Sequence, residues 1–142
     1  MRFSILILTW NRLSLVLQCL DSLEDTLRRP DVEVLIWDNA SNDGTREYVS
    51  KLSGYPNLFV HLHPTNIGVA PARAQLLPLA RGEIVVSIDS DVIATDNQWL
   101  DKISELLSDS SIGLCGIDGC DIDLSFENYW NLVTEGQCDV VS

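Results

Sequence analysis

Apolar positions along this chain follow two alternating periods. Phe3 to Thr9 is a nearly continuous apolar run rich in β-formers, the pattern of a strand buried on both faces. From Leu13 the period changes. Leu13, Val16, Leu17, Leu20, Leu23 and Leu27 recur at three and four, the stripe of a helix. Asn11 is its expected N-cap, and Pro30 lies just past its end. Residues 32–37 predict a second strand, 45–52 a short helix closed by Gly54 and Pro56, and Leu58 to Leu62 a third strand. A helix follows over 69–80, with Pro71 tolerated in its first turn and Pro78 ending or kinking its last. Residues 84–88 predict a fourth strand. Residues 97–107 predict a helix with Trp99, Leu100, Ile103, Leu106 and Leu107 on its inner face, and 112–117 a fifth strand. Asp139-Val140-Val141 opens one more. Strands joined by helices imply right-handed crossovers. The expected fold class is therefore α/β: a three-layer α/β/α sandwich with a mainly parallel central sheet.

Size and composition narrow the picture. The 142 residues suit one domain over 1–142, able to bury roughly 68–70% of its unfolded surface. A hydrophobic share of 46% excludes a disordered chain. No apolar run approaches the roughly 18 residues of a membrane span. Asn11 and Arg12 interrupt the first run, and no small-residue cleavage site follows, so the start reads as a strand and not a leader. The last strand has barely begun at Ser142, which reads as a fragment of something longer. Such an interrupted strand would leave apolar surface open to self-association.

Charge is unevenly spread. The net charge is −12, yet residues 1–81 hold eight acids and eight bases, while residues 82–142 hold thirteen acids and Lys102. A nucleic-acid binder needs the opposite sign. Cys19, Cys115, Cys120 and Cys138 have no C-x-x-C spacing, and His61 and His63 are remote from them in sequence. Reduced, packed thiols in a cytoplasmic protein fit better than a zinc site or a disulfide framework. Peripheral association of a longer protein with a membrane stays open.

Candidate chemistry gathers where the expected strands end. Asp89 and Asp91 follow the fourth strand, flank Ser90, and point the same way if the segment is extended. Such a pair can place carboxylate oxygens around one hard cation. The first strand ends in Thr9-Trp10-Asn11-Arg12, and the second in Asp38 to Thr45. The third is followed by Asn66-Ile67-Gly68. In open parallel sheets ligands bind outside the carboxyl ends of the strands, so these loops outline one cleft. Each residue also has a plain role. Asp38 can start a turn, Thr9 or Asn11 can cap a helix, Asn66 and Gly68 can supply turn geometry, and Arg73 can be a surface residue.

Taken in order, these segments resemble the family-2 type of inverting glycosyltransferases, which have the GT-A fold. The matches are Ser4-Ile5-Leu6-Ile7-Leu8-Thr9-Trp10-Asn11-Arg12 and Trp37-Asp38-Asn39-Ala40-Ser41-Asn42-Asp43-Gly44-Thr45. Asn66-Ile67-Gly68 with Ala72-Arg73 follows, and then Gly82 to Asp91. The resemblance covers roughly residues 3–100, the nucleotide-sugar-binding half of that family's catalytic domain. It implies that the chain binds a nucleotide diphosphate sugar. A uridine nucleotide is favoured because Asp38 suits a uracil N–H, with guanosine as the other option. It implies a pocket formed by Thr9, Asn11, Arg12, Asp38, Asn66, Gly68, Arg73, Asp89 and Ser90. It also implies that Asp91, with Asp89, holds Mn²⁺ or Mg²⁺ to neutralise the leaving diphosphate.

The chain departs from the family pattern in two ways. Ala74 and Leu76 stand where the family often has asparagine and glycine, and Pro78 is unusual in that helix. No recognisable motif supplies the base that inverting transfer needs. Glu127, Glu135 and Asp139 occupy no such motif. On this reading the acceptor is unknown, and the chain alone transfers little or no sugar. The other readings are a nucleotide-sugar-binding module without transfer activity and a sugar nucleotidyltransferase. The latter would carry a glycine-rich basic loop where Thr9-Trp10-Asn11-Arg12 stands.

Overall fold

A computed structural model describes residues 1–52 and 54–116, and beyond them the backbone pairing of residues 120–121, 131–132 and 140–141. Strands β1 (Phe3–Thr9), β2 (Val32–Asp38), β3 (Leu58–Leu62) and β4 (Ile84–Asp89) form one sheet in the order β3-β2-β1-β4. All three pairings are parallel. Helices α1 (Leu13–Ser22) and α2 (Glu24–Leu27) join β1 to β2, and α3 (Thr45–Val49) joins β2 to β3. Helix α4 (Val69–Leu76) and a 3₁₀ turn (Leu77–Leu79) join β3 to β4. The chain thus steps outward from β1 to β3, then crosses back to place β4 on the other side of β1. Right-handed crossovers then require α4 to lie on the face opposite α1–α3, which makes three layers.

Strand alternation feeds both helical layers. On one face Leu6, Leu35 and Trp37 pack with Ala72 and Leu76 of α4. By alternation Ile5, Ile7, Val34 and Ile36 point to the other face, and all four are buried. Val16, Cys19 and Leu20 form the buried stripe of α1. Two neighbouring strands, β1 and β2, are almost wholly covered. In β4 half-buried and exposed positions alternate.

At the amino-terminal edge, β4 is pinned to β1 and β2 by a buried carboxylate. Glu33 has no exposed surface and accepts from the Ser4 hydroxyl, from the Arg81 amide at 2.6 Å and from Arg81 Nε at 2.8 Å. The Gly82 amide donates to Ser4 Oγ at 2.7 Å. A Cβ on Gly82 would lie 2.5 Å from the Ser4 amide nitrogen, so only glycine lets the chain pass here. Burial alone would raise the Glu33 pKa, but the bonds from Ser4 and Arg81 outweigh it and hold the carboxyl below its ordinary value.

Helix α5 (Trp99–Leu106) belongs to a second compact unit, Gln98–Ser142, distinct from the first, Met1–Asn97. Leu100 and Ser104 are its buried residues. The expected fifth strand over 112–117 is reduced to β5 (Leu114–Cys115), which pairs antiparallel with β8 (Val140–Val141) and does not extend the parallel sheet. Strands β6 (Cys120–Asp121) and β7 (Asn131–Leu132) pair antiparallel as well. Two residues per strand is too short for periodicity to be read from sequence. Cys19 is a buried free thiol. Glu127, Glu135, Cys138 and Asp139 lie outside the described residues.

Candidate functional site

Thr9 is the register partner of Asp38, and Leu8 is the partner of Asp89. The strand ends that carry Thr9, Asp38 and Asp89 therefore form one edge. The order β3-β2-β1-β4 reverses the chain's direction across the sheet between β1 and β4. A parallel sheet opens a crevice at that point.

The loops after β1 and β2 are stitched together. The Asn11 amide donates to Ser41 Oγ at 2.7 Å, and the Asn42 amide donates to Asn11 Oδ1 at 2.8 Å. Asn11, Arg12 and Ala40 all have left-handed backbones, at φ 60°, 63° and 65°. Asparagine tolerates this region; the other two hold it at a cost of about 1 kcal/mol or more each. Asn11 is not the N-cap of α1. Arg12 occupies that position without a side-chain cap bond, and Asn11 Oδ1 is already taken by Asn42. Asp43 caps the helix from the neighbouring loop instead, accepting from Leu13 N at 3.0 Å and from Thr45 N at 3.1 Å. Hydrogen bonds from Thr45, then Leu13, hold the Asp43 carboxyl down at about 2.

Asp38 lies fully buried at the end of β2. Its Oδ2 accepts from Arg46 Nη1 at 2.8 Å, and the same Nη1 donates to the His63 carbonyl at 2.8 Å. The Ser41 amide reaches both carboxylate oxygens at 3.3 Å, which leaves Oδ1 with spare acceptor capacity. Next door, Asn39 shapes the loop after β3. Its Oδ1 accepts from the Ile67 amide at 3.1 Å, and its Nδ2 donates to Asn66 Oδ1 at 2.9 Å and to the Gly68 carbonyl at 3.3 Å. Gly68 has φ 86°, a left-handed backbone that starts α4. Asn66 Oδ1 also accepts from the Gly68 amide at 2.8 Å. Neither Arg46 nor Asn39 was selected from sequence as a site residue. Asp38 lies 8 positions from Arg46, and the Asn66 partner of Asn39 lies 27 away; neither spacing is a helix or strand period, so no local pattern signals the contact.

Two arginines meet the two aspartates at the end of β4 and just after it, Asp89 and Asp91. Arg73 Nη2, from α4, donates to Asp89 Oδ1. Arg12 Nη1 donates to Asp91 Oδ2 at 3.4 Å. Ser90 sits half-buried between the aspartates. Beneath them the Cys19 thiol lies 3.9 Å from the Asp89 carbonyl oxygen, and burial, then the Asp91 charge, pushes its pKa up to about 11. It stays protonated. Among the described residues no three His, Cys, Asp or Glu side chains gather as a complete cation cage. Asp89 and Asp91 fit a hard divalent ion that takes one or two carboxylates and fills its shell with water and phosphate oxygens. Among the described residues, buried polar atoms without hydrogen-bond partners include Thr9 Oγ1, Thr45 Oγ1 and Arg73 Nε at this edge. Buried orphans of this kind are uncommon in folded proteins.

This is a parallel α/β domain with an arginine- and aspartate-lined crevice at its topological switch. The chain belongs to glycosyl transferase family 2, whose pattern it matches over residues 4–131. It is 32% identical over 126 residues to the poly(ribitol-phosphate) beta-glucosyltransferase of Bacillus spizizenii, covering 84% of this chain and 20% of that one. Staphylococcus aureus TarS 1-349, solved in complex with UDP-GlcNAc, superposes with a TM-score of 0.67 at 29% identity. The match covers 79% of this chain and 32% of TarS 1-349. The mannosyltransferase PcManGT from Pyrobaculum calidifontis, in complex with GDP-Man and Mn²⁺, gives 0.73 at 26% identity, over 84% of this chain and 36% of that one. The chain thus spans about a fifth to a third of these proteins. No helix among the described residues is long and apolar enough to cross a membrane.

Proposed function

We propose that this domain binds a nucleoside diphosphate sugar at the β1/β4 switch point and serves as the donor half of a sugar transferase. The observation that carries this reading is a pair of buried polar atoms without partners at this edge, Thr9 Oγ1, in register with Asp38, and Arg73 Nε, whose guanidinium meets Asp89. They offer a hydroxyl and an N–H to a ligand at the edge where parallel sheets bind ligands. Asp38 Oδ1, with its spare acceptor capacity, suits a base N–H, which favours uracil and admits guanine. Asn66 and Gly68 wall the base side of the crevice through Asn39. Arg12 and Arg73 exchange their aspartate partners for phosphate oxygens. Asp91, with Asp89 and Ser90 alongside, would hold Mn²⁺ or Mg²⁺, which when bound neutralises charge on the departing diphosphate. The acceptor and the base that deprotonates it are left unassigned.

Calorimetric titration of the chain with UDP-GlcNAc and with GDP-Man, each with and without Mn²⁺, tests this. Binding should require the cation, and Asp91→Ala should weaken it at least about tenfold. Equal affinity with and without Mn²⁺ would overturn the cation's role. No binding of either nucleotide sugar would overturn the donor reading itself.

A further inference from the structure

We propose that a second site, between α1, α2, α3 and the start of β3, receives an arginine side chain from a partner polypeptide. A cavity of about 190 Å³ opens there. It adjoins the beginning of β3 and the end of α1, away from the strand ends that carry Asp38 and Asp89. Leu20, Leu27 and Leu58 form an apolar floor, and each is buried. Tyr48 and Tyr55 form aromatic walls, with Asp21 and Glu24 at the mouth.

The lining matches one kind of guest. An apolar floor suits methylenes, aromatic faces attract a cation, and carboxylates fix it. Arginine carries all three complements in one side chain, and arginine is enriched among the residues that dominate protein interfaces. The protein already makes this contact once with its own cation. The Arg28 guanidinium carbon lies 5.9 Å from the centre of the Tyr55 ring, and its Nη2 donates to Glu24 Oε1 at 2.5 Å. Asp21, on the other side, is exposed, and its carboxylate has no hydrogen bond or ion pair among the described residues. Tyr48 borders it: burial, then the negative fields of Asp21 and Tyr55, raises the Tyr48 pKa. One half of the cage is therefore filled by Arg28, and the other half presents an uncompensated carboxylate beside a half-buried ring. Asp21 and Glu24 at the mouth give the cavity the charge that complements a basic side chain.

The test is an NMR titration of the ¹⁵N-labelled chain with a pentapeptide, acetyl-Gly-Gly-Arg-Gly-Gly-amide, and with its citrulline counterpart, which keeps the shape and loses the charge. The arginine peptide should give saturable shifts at the amides of residues 20, 21, 48 and 52, and the citrulline peptide should not. Asp21→Asn should weaken binding about two- to fivefold, the range of one exposed ion pair. Arg28→Gln frees Glu24 and the Tyr55 face, so it should tighten binding by a similar factor. Asp21→Asn should leave the melting temperature and any nucleotide-sugar affinity unchanged, so this result stands apart from that of the donor site. Three outcomes would overturn the assignment: equal shifts from the citrulline peptide, equal affinity in Asp21→Asn, or saturable binding of n-butylguanidinium with none of the peptide. The last would make the cavity a small-cation site.

Discussion

Glu33 and Asp43 are carboxylates whose bonds tie separate elements together, one at each edge of the sheet, and both have lowered pKa values. Glu33→Gln removes the charge facing Arg81 while keeping the shape. Breaking a buried pair costs about 3–5 kcal/mol, but Arg81 is 60% exposed and can rehydrate, so about 2 kcal/mol is expected, with a lower melting temperature. Both carboxyls have folded pKa values below their ordinary ones. The unfolded chain therefore binds protons first as pH falls, and the stability these groups contribute is full above the ordinary carboxylate range. It is lost downward through the folded values, to about 2 for Asp43. Melting temperature should be flat above about pH 5 and fall below it. A Glu33→Gln, Asp43→Asn double variant should show a shallower acid slope by thermal melts across pH. At the opposite corner of the switch point, Arg12 pairs with Asp91 through an exposed contact. On the proposed reading, a cation arriving at Asp91 without nucleotide would displace that guanidinium. Arg12→Gln should tighten nucleotide-free Mn²⁺ binding about two- to fivefold, read by electron paramagnetic resonance, while weakening UDP binding. Unchanged Mn²⁺ affinity would mean that Arg12 does not guard the aspartates.

Among the elements, the long ones were legible and the joints were not. The apolar runs of β1, β2 and β3 and the stripe of α1 fall where the periods put them, because buried strands and amphipathic helices must repeat at two and 3.6. Pro78 ends α4 in a 3₁₀ turn, as its missing N–H requires. The cap of α1 is not legible in the sequence because the capping carboxylate, Asp43, comes from 30 residues away. The loop after β3 was legible as a turn, but its support from Asn39 was not. Asn39→Ala removes an acceptor for the Ile67 amide and donors to Asn66 and Gly68. It should loosen the loop and weaken UDP-sugar binding by about tenfold, with little change in secondary structure by circular dichroism. Wild-type affinity in that variant would remove the 66–68 loop from the site.

The whole molecule is strongly acidic, with a sequence pI of about 4.2. At pH 8 mutual repulsion should keep it dispersed. Light scattering should rise sharply near pH 4.2, where repulsion vanishes and the Glu33 and Asp43 contacts begin to fail. Scattering that stays flat through that pH would show that charge does not control association. At this scale the division between chain and fold is clear. Sequence by itself determined the class: alternating periods require strands joined by helices, and the ordered polar strand ends identified the family. These are local properties, carried by neighbouring residues and by the geometry of the backbone. Only the tertiary structure decided the partners. Arg46 reached Asp38, Arg73 reached Asp89, and Arg12 reached Asp91 because the order β3-β2-β1-β4 brings three strand ends to one edge. It also decided that Leu114–Cys115 pairs with Val140–Val141 and does not extend the parallel sheet. Such side-chain contacts, between residues 8, 16 and 79 positions apart, leave no period in the chain. They follow from strand order and register, which are set by packing both faces of the sheet at once.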